Sequence, residues 1–202
     1  AGLMWCCLAC LYQPFMYFWV GRNLLLSLLN MFLFCLYFYC LQMGVIRGVY
    51  YDAAGLWWYG KFRAFSEAIL NIVLNIVLGK FFGITGIIVA TLISLILINY
   101  IYGSHLLFKY YFVSQNVKEY FVNNGWYMFV TAIVLVVTYW ICNYVPFGET
   151  RAKQFGYMFI RGIICIIIPN ILYTLIYANN KQFVESKEWV VGIVKSKFKH
   201  KV

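Results

Sequence analysis

The chain has 202 residues, of which 64% are hydrophobic and only 11% charged, and its mean hydropathy is +0.80. A water-soluble domain carries about 25% charged and about 45–50% apolar residues, so a soluble globular enzyme and a disordered chain are both excluded. The net charge of +10 would point to nucleic acid in a soluble protein. Here the bases lie between apolar blocks and in the C-terminal tail, where membrane topology accounts for them, and no nucleic-acid partner is expected.

A membrane-spanning helix needs about 20 mainly apolar residues to cross about 30 Å of hydrocarbon. Six windows qualify, in chain order 3–20, 24–46, 65–79, 84–103, 126–145 and 155–177. Helices are expected because lipid offers the backbone no hydrogen-bond partners. A membrane β-barrel would show short segments of alternating polarity, and the run 24–41 (LLLSLLNMFLFCLYFYCL) does not alternate. The fold class is therefore all-α, a polytopic transmembrane bundle over 1–180 followed by a basic tail over 181–202. The chain starts at Ala1 with no basic stretch before the apolar run, unlike a secretory signal, and reads as the C-terminal part of something longer.

Orientation follows from the basic residues. With the N-terminus on side one, that side receives Arg47, Lys61, Arg63, Lys109, Lys118 and the tail lysines 181, 187, 195, 197, 199 and 201. Side two receives Arg22, Lys80, Arg151 and Lys153. Side one is expected to be cytoplasmic, and an even number of spans returns the C-terminus to it.

Aromatic residues make up 21% of the chain. Trp57, Trp58 and Tyr59, and again Tyr110, Tyr111 and Phe112, sit near span ends, as in an aromatic belt at the headgroup level; a sugar-stacking platform is the functional alternative. The seven cysteines (6, 7, 10, 35, 40, 142 and 165) all fall in apolar windows. They lack paired zinc-type spacing, Cys7-x-x-Cys10 standing alone, and read as small buried hydrophobes. His105 and His200 have no partner pattern for a metal. The tail Lys195-Ser-Lys-Phe-Lys-His-Lys201 follows Trp189 to Val194 and reads either as a juxtamembrane segment drawn to anionic lipid or as a topology determinant.

Polar side chains inside a span are where function is sought. In the third window Glu67, Asn71, Asn75 and Gly79 recur every fourth residue and form one slowly drifting helical stripe. Ile69, Val73, Ile76 and Val77 lie opposite and suit lipid. The stripe should face a neighbouring helix, through interhelical hydrogen bonds, or line a cavity. Gly83-Ile-Thr-Gly86 predicts a tight reversal after Lys80. Gly86, Ala90 and Ser94 form a small-residue face that lets helices approach closely, with Thr91 and Asn99 as further polar groups. Arg161 lies about two turns into the last window; it either snorkels to the interface or faces an aqueous cavity and an anionic group. Pro169 would kink that helix. Phosphate-binding, metal-protease and hydrolase motifs are missing, so neither enzyme activity nor a cofactor is expected.

Three stretches resemble a known family. Pro14-Phe-Met-Tyr-Phe-Trp-Val-Gly21 is similar to the PFxxLWxG-like stretch of bacterial polysaccharide exporters and oligosaccharide flippases, with Phe18 at the leucine position. The run from Glu67 through Asn71, Asn75, Gly83, Gly86 and Thr91 to Ser94 resembles the same family's E…N…LN…L.K.FG..G…AT.IS pattern. Tyr51-Asp-Ala-Ala-Gly55-Leu-Trp-Trp-Tyr-Gly-Lys61 resembles the loop leading to that helix. The match runs over residues 12–112; the rest agrees in span pattern. The resemblance implies a member of the multidrug/oligosaccharidyl-lipid/polysaccharide flippase superfamily, with two helical bundles around a central cavity, of which this chain would be the second. It also implies translocation of undecaprenyl-pyrophosphate-linked oligosaccharide repeat units across the bacterial inner membrane, for surface polysaccharide or O-antigen synthesis. The partners would be that lipid-linked oligosaccharide and the bilayer, with transport coupled to an ion, H⁺ or Na⁺, or to the substrate itself. The candidate cavity residues are Glu67, Asn71, Asn75 and Arg161, and the helix-packing residues are Gly83, Gly86, Ala90 and Ser94. Three alternatives stand beside this: a multidrug/cation antiporter on the same scaffold, a membrane glycosyltransferase or polymerase of O-antigen assembly, and a non-catalytic scaffold. The antiporter would favour an acid at the centre of a span, whereas Glu67 lies near a span end. The glycosyltransferase would need a long outer loop.

Overall fold

The computed structural model describes residues 1–21, 24–148 and 150–199. Arg22, His200 and Lys201 of the charge pattern above lie outside the described residues. The elements are α1 (Gly2–Val20), α2 (Leu28–Ala53), α3 (Arg63–Ser94), a π-helical segment (Leu95–Tyr102), α4 (Gly103–Tyr110), α5 (Val117–Asn143), α6 (Arg151–Tyr177) and α7 (Lys181–Lys199). No strand occurs among the described residues.

Five helical stretches are long and apolar enough to cross a bilayer. One of them covers 48 residues, Arg63–Tyr110, and if straight it would reach about 70 Å at 1.5 Å per residue, more than twice the hydrocarbon thickness. It is not straight. Gly83 has φ +59° and ψ −135°, a conformation that glycine adopts without steric cost, and the chain reverses there. Asn71 Nδ2 donates to Ser94 Oγ at 3.0 Å, and Asn99 Nδ2 donates to Glu67 Oε2 at 3.3 Å. Gly86 lies directly against the backbone of Leu78. These partners are symmetrically disposed about Gly83, which is the pattern of an antiparallel helical hairpin. The long apolar stretch therefore folds into two limbs, each near the length of one pass, so the five apolar stretches offer six segments against the six expected windows.

The two ends of the bundle can be traced through contacts. At one end Ala1, Tyr50, Leu107, Phe112 and Tyr120 surround a common hollow, and Tyr127 meets Tyr177 ring to ring. At the other, Gln13 donates to the Leu26 carbonyl, Thr85 to the Asn30 side chain and Arg161 to the Val145 carbonyl. Chain start and α6 end share the first side, as an even number of passes requires.

Helix boundaries depart from the hydropathy windows in a consistent way. α2 runs on to Ala53 and α5 begins at Val117, so the stretches between the second and third and between the fourth and fifth windows shrink to connections over 54–62 and 111–116. A window stops at the first charged or strongly polar residue, whereas a helix continues until its backbone is capped. The Asn116 side chain accepts from the Lys118 amide, Ser27 caps α2 through the Asn30 amide and Thr150 caps α6 through the Lys153 amide. The tail is likewise helical, α7 following α6 after a short turn.

α1 packs against α2, α5 and α6, while α2 also carries the hairpin. In lipid no hydrophobic drive separates helix from solvent, so close van der Waals fit and interhelical hydrogen bonds hold the bundle. α1 meets its neighbours through small residues, with Cys6, Ala9 and Cys10 all buried. Trp5 stacks on Tyr39 of α2 at 4.5 Å between ring centroids, and Val130, Val134 and Leu135 of α5 complete this core. Ile69, Ile72, Val73, Ile76 and Val77 of the hairpin are exposed, the side expected to meet lipid.

The hairpin predicts a sharp contrast between two glycines. Gly86→Val drives a side chain into the Leu78 backbone and should destabilise the protein by about 1–3 kcal/mol, the usual range for overpacking. Gly125→Ala, inside α5 where an added Cβ meets open space, should instead raise stability in detergent by about 0.5–1 kcal/mol, the gain in helix propensity over glycine.

Candidate functional site

The most polar buried cluster of the bundle is centred on Arg47. Sequence placed this residue in a loop on side one; the structure places it inside α2, only 4% exposed. The window ended at residue 46 because a charge closed it, yet α2 runs on through Val49, Tyr50 and Tyr51. An arginine at the centre of a span costs about 2.5–3.5 kcal/mol on insertion scales, so it needs partners. Arg47 Nη2 donates to Asn99 Oδ1 at 2.6 Å, and Nη1 donates to Ser104 Oγ at 3.2 Å and to the Tyr100 carbonyl at 3.4 Å. The guanidinium also lies over the Tyr100 ring, 5.2 Å from its centroid, in cation–π range.

Asn99 and Tyr100 belong to the π-helical segment. Such turns are rare and recur at functional sites. Here the wider turn offers an amide side chain and a backbone carbonyl to the same guanidinium. Through its amide nitrogen Asn99 then donates to Glu67 Oε2 on the first limb of the hairpin. The network thus runs Glu67–Asn99–Arg47–Ser104 and ties α2 to both limbs. Gly44 and Gly103 make room for it, because a Cβ at either would sit 3.0–3.1 Å from an arginine nitrogen, Arg47 Nη2 for Gly44 and Arg63 Nη1 for Gly103.

A cavity of about 460 Å³ opens beside this network. Arg47, Arg63, Asn99, Tyr100, Asn124 and Met128 are among its lining residues, on an otherwise apolar wall. Arg63, at the start of α3, is held over the Tyr51 ring at 4.7 Å. A second hollow, of about 720 Å³, shares Arg47 and Asn124. Arg47 and Arg63 line the cavity, whereas the one nearby acid, Glu67, joins the network only through Asn99, so the local balance is cationic. A mainly apolar cavity with a few convergent polar groups is the usual form of a ligand site, and guanidinium forks suit carboxylate or phosphate oxygens.

The sequence-predicted residues divide between this site and other places. Glu67 reaches the Arg47 network through Asn99. Asn71 donates to Ser94 across the seam of the hairpin, whereas Asn75 donates to Asn71 at 2.6 Å, one turn back on the same limb; neither is among the residues lining the cavity. Of the two expectations for the stripe, interhelical bonding describes Asn71. Gly86, Ala90 and Ser94 lie buried on the second limb, as a small-residue face requires. Arg161 belongs to neither group. It is 8% exposed, donates to the Val145 carbonyl at 2.7 Å and lies over the Phe147 ring, at the opposite end of the bundle.

Arg47, Arg63 and Asn124 were not singled out by sequence. The available signal was the pair Gly44 and Gly48 flanking an arginine within helical reach of a long apolar run.

This chain matches no family model, no curated protein and no solved structure.

The network can be weighed by a thermodynamic cycle. Asn99→Leu strips Arg47 of its shortest hydrogen bond and should cost about 1–3 kcal/mol, the penalty for an unsatisfied buried group. The double variant Arg47→Met/Asn99→Leu should recover part of that loss, since neighbours in one network are not additive. Unfolding in detergent, followed by helical circular dichroism, provides the measurement.

Proposed function

We propose that this chain is the second bundle of a bacterial inner-membrane flippase that carries undecaprenyl-pyrophosphate-linked oligosaccharide units outward for surface polysaccharide assembly. The sequence resemblance over 12–112 supports the family. The observation that carries the ligand class is the pair Arg47 and Arg63 on the wall of an apolar cavity within the spans. A pyrophosphate carries charge that hydrocarbon rejects, and two guanidiniums in a mostly apolar pocket supply both attraction and forked hydrogen bonds. The apolar wall suits the polyprenyl chain. A cation antiporter would need a net acidic pocket, and the acid here is outnumbered. Side one, where Arg47, Arg63 and the tail lysines gather, is assigned to the cytoplasm, so the arginines wait where the loaded carrier is made.

Cells producing Arg47→Gln or Arg63→Gln should accumulate lipid-linked repeat units on the cytoplasmic leaflet and lose most surface glycan, with normal protein levels in the membrane. Undiminished surface glycan in the double variant, at wild-type protein levels, would end this reading. Asn71→Leu should lower export in proportion to lost protein, because its bond to Ser94 holds the hairpin together; quantitative blotting against glycan yield separates the two effects.

A further inference from the structure

The cysteines that read singly as small hydrophobes converge in three dimensions. Cys10 on α1, Cys142 on α5 and Cys165 on α6 bring their Sγ atoms within 4.8 Å of one another, and the Cys142–Cys165 separation is 3.7 Å. All three are buried, at 2%, 1% and 0% exposure. Cys7, one turn before Cys10 on the same helix, packs against the trio. Metal–sulfur bonds of about 2.3 Å place thiolates about 3.8–4.0 Å apart around a shared ion, so the cluster is close to a ligand set without rearrangement of the helices.

Two further observations point to a charged occupant. A small cavity of about 80 Å³ adjoins the cluster, lined among others by Cys10, Cys142, Gln13, Asn143 and Arg161. Arg161 is more than nine-tenths buried there, and its Nε has no hydrogen-bond partner among the described residues. A permanent cation with a spare donor, beside thiols in an apolar interior, is a standing cost that an anionic thiolate–metal group would offset.

We infer that Cys10, Cys142 and Cys165 form a binding site for a soft d¹⁰ metal ion, bridging α1, α5 and α6, with Arg161 as the compensating charge. Soft thiolates select zinc, cuprous copper and their congeners over hard cations. Binding replaces three S–H bonds by three metal–sulfur bonds and releases three protons to solvent. No electron is transferred. With a divalent ion, the three thiolates and Arg161 sum to zero charge (+2, −3 and +1), the arrangement a low-dielectric interior favours. A monovalent ion leaves one negative charge. The site therefore takes zinc ahead of cuprous copper, with three thiolate ligands. It lies away from the Arg47 cavity and does not depend on the transport reading.

The test uses the whole chain, reduced and purified in detergent, incubated separately with Zn(II) and, anaerobically, with Cu(I). Zinc should bind at one ion per chain, and Cys10→Ser/Cys142→Ser/Cys165→Ser should abolish that binding. Arg161→Gln should weaken it about 10–100-fold, the usual effect of removing an outer-shell partner. Cys35→Ser/Cys40→Ser, away from the cluster, should leave it intact. A readout on the unmodified protein guards against a misfolded variant: zinc should slow alkylation of Cys10, Cys142 and Cys165, resolved by peptide mass spectrometry, without protecting Cys40. Binding of copper with no binding of zinc would overturn the charge argument. Failure of both ions to bind or to protect the three thiols would overturn the site.

Discussion

A guanidinium buried in a membrane helix has to be satisfied by protein, and one end of this bundle is arranged around that need. Arg47 is almost wholly buried, and its donors reach Asn99, Ser104 and the Tyr100 carbonyl. Those groups lie on the returning half of a hairpin whose outgoing half carries Glu67. Each helix here contributes something the others cannot: α2 the cation, the π segment a displaced carbonyl and amide, α3 the acid. Breaking any one leaves a buried charge or polar group exposed to hydrocarbon, where it is costly. That shared dependence, rather than apolar contact, selects this mutual arrangement, because apolar side chains are equally content against lipid.

The hairpin is the second constraint. Two limbs can approach closely enough for Asn71 to reach Ser94 only where side chains are small, and Gly86 against Leu78 is the closest point. Gly83 makes the turn itself possible. The same device that reverses the chain also brings Asn99 opposite Glu67, so the geometry of the polar network is inherited from a glycine sixteen residues away in sequence.

The two buried arginines serve different ends of the molecule. Arg47 faces a cavity large enough for part of a ligand, with Arg63 as its companion. Arg161 is folded over Phe147 beside the cysteine cluster, in a space of about 80 Å³, too small for an oligosaccharide carrier. Equal residue type and equal burial thus carry different chemistry, decided by what surrounds each guanidinium. The α7 helix, with its exposed Lys181–Glu185 pair at 3.9 Å and exposed Trp189, stands apart from both and has the composition of a helix lying along a surface.

The helical class, a span count close to that of the five apolar helices and the reversal at Gly83 were legible from residue order alone. Apolar run length, helical spacing and glycine placement are local properties, and lipid permits few alternatives to a helix. The lipid-facing side of the third pass was legible for the same reason, since Ile69, Val73, Ile76 and Val77 share one helical face. What residue order could not supply was which polar groups meet. Arg47 looked like a loop charge because hydropathy stops at a charge while hydrogen-bonded backbone does not. Asn71 and Asn75 were ambiguous between seam and cavity until Ser94 was found opposite Asn71. Cys10 lies more than a hundred residues of chain from Cys142 and Cys165, and only the packing of α1 against α5 and α6 brings the three sulfurs together. Periodicity along a helix specifies a face; the identity of the neighbour on that face depends on how whole helices pack, which is a property of the tertiary structure.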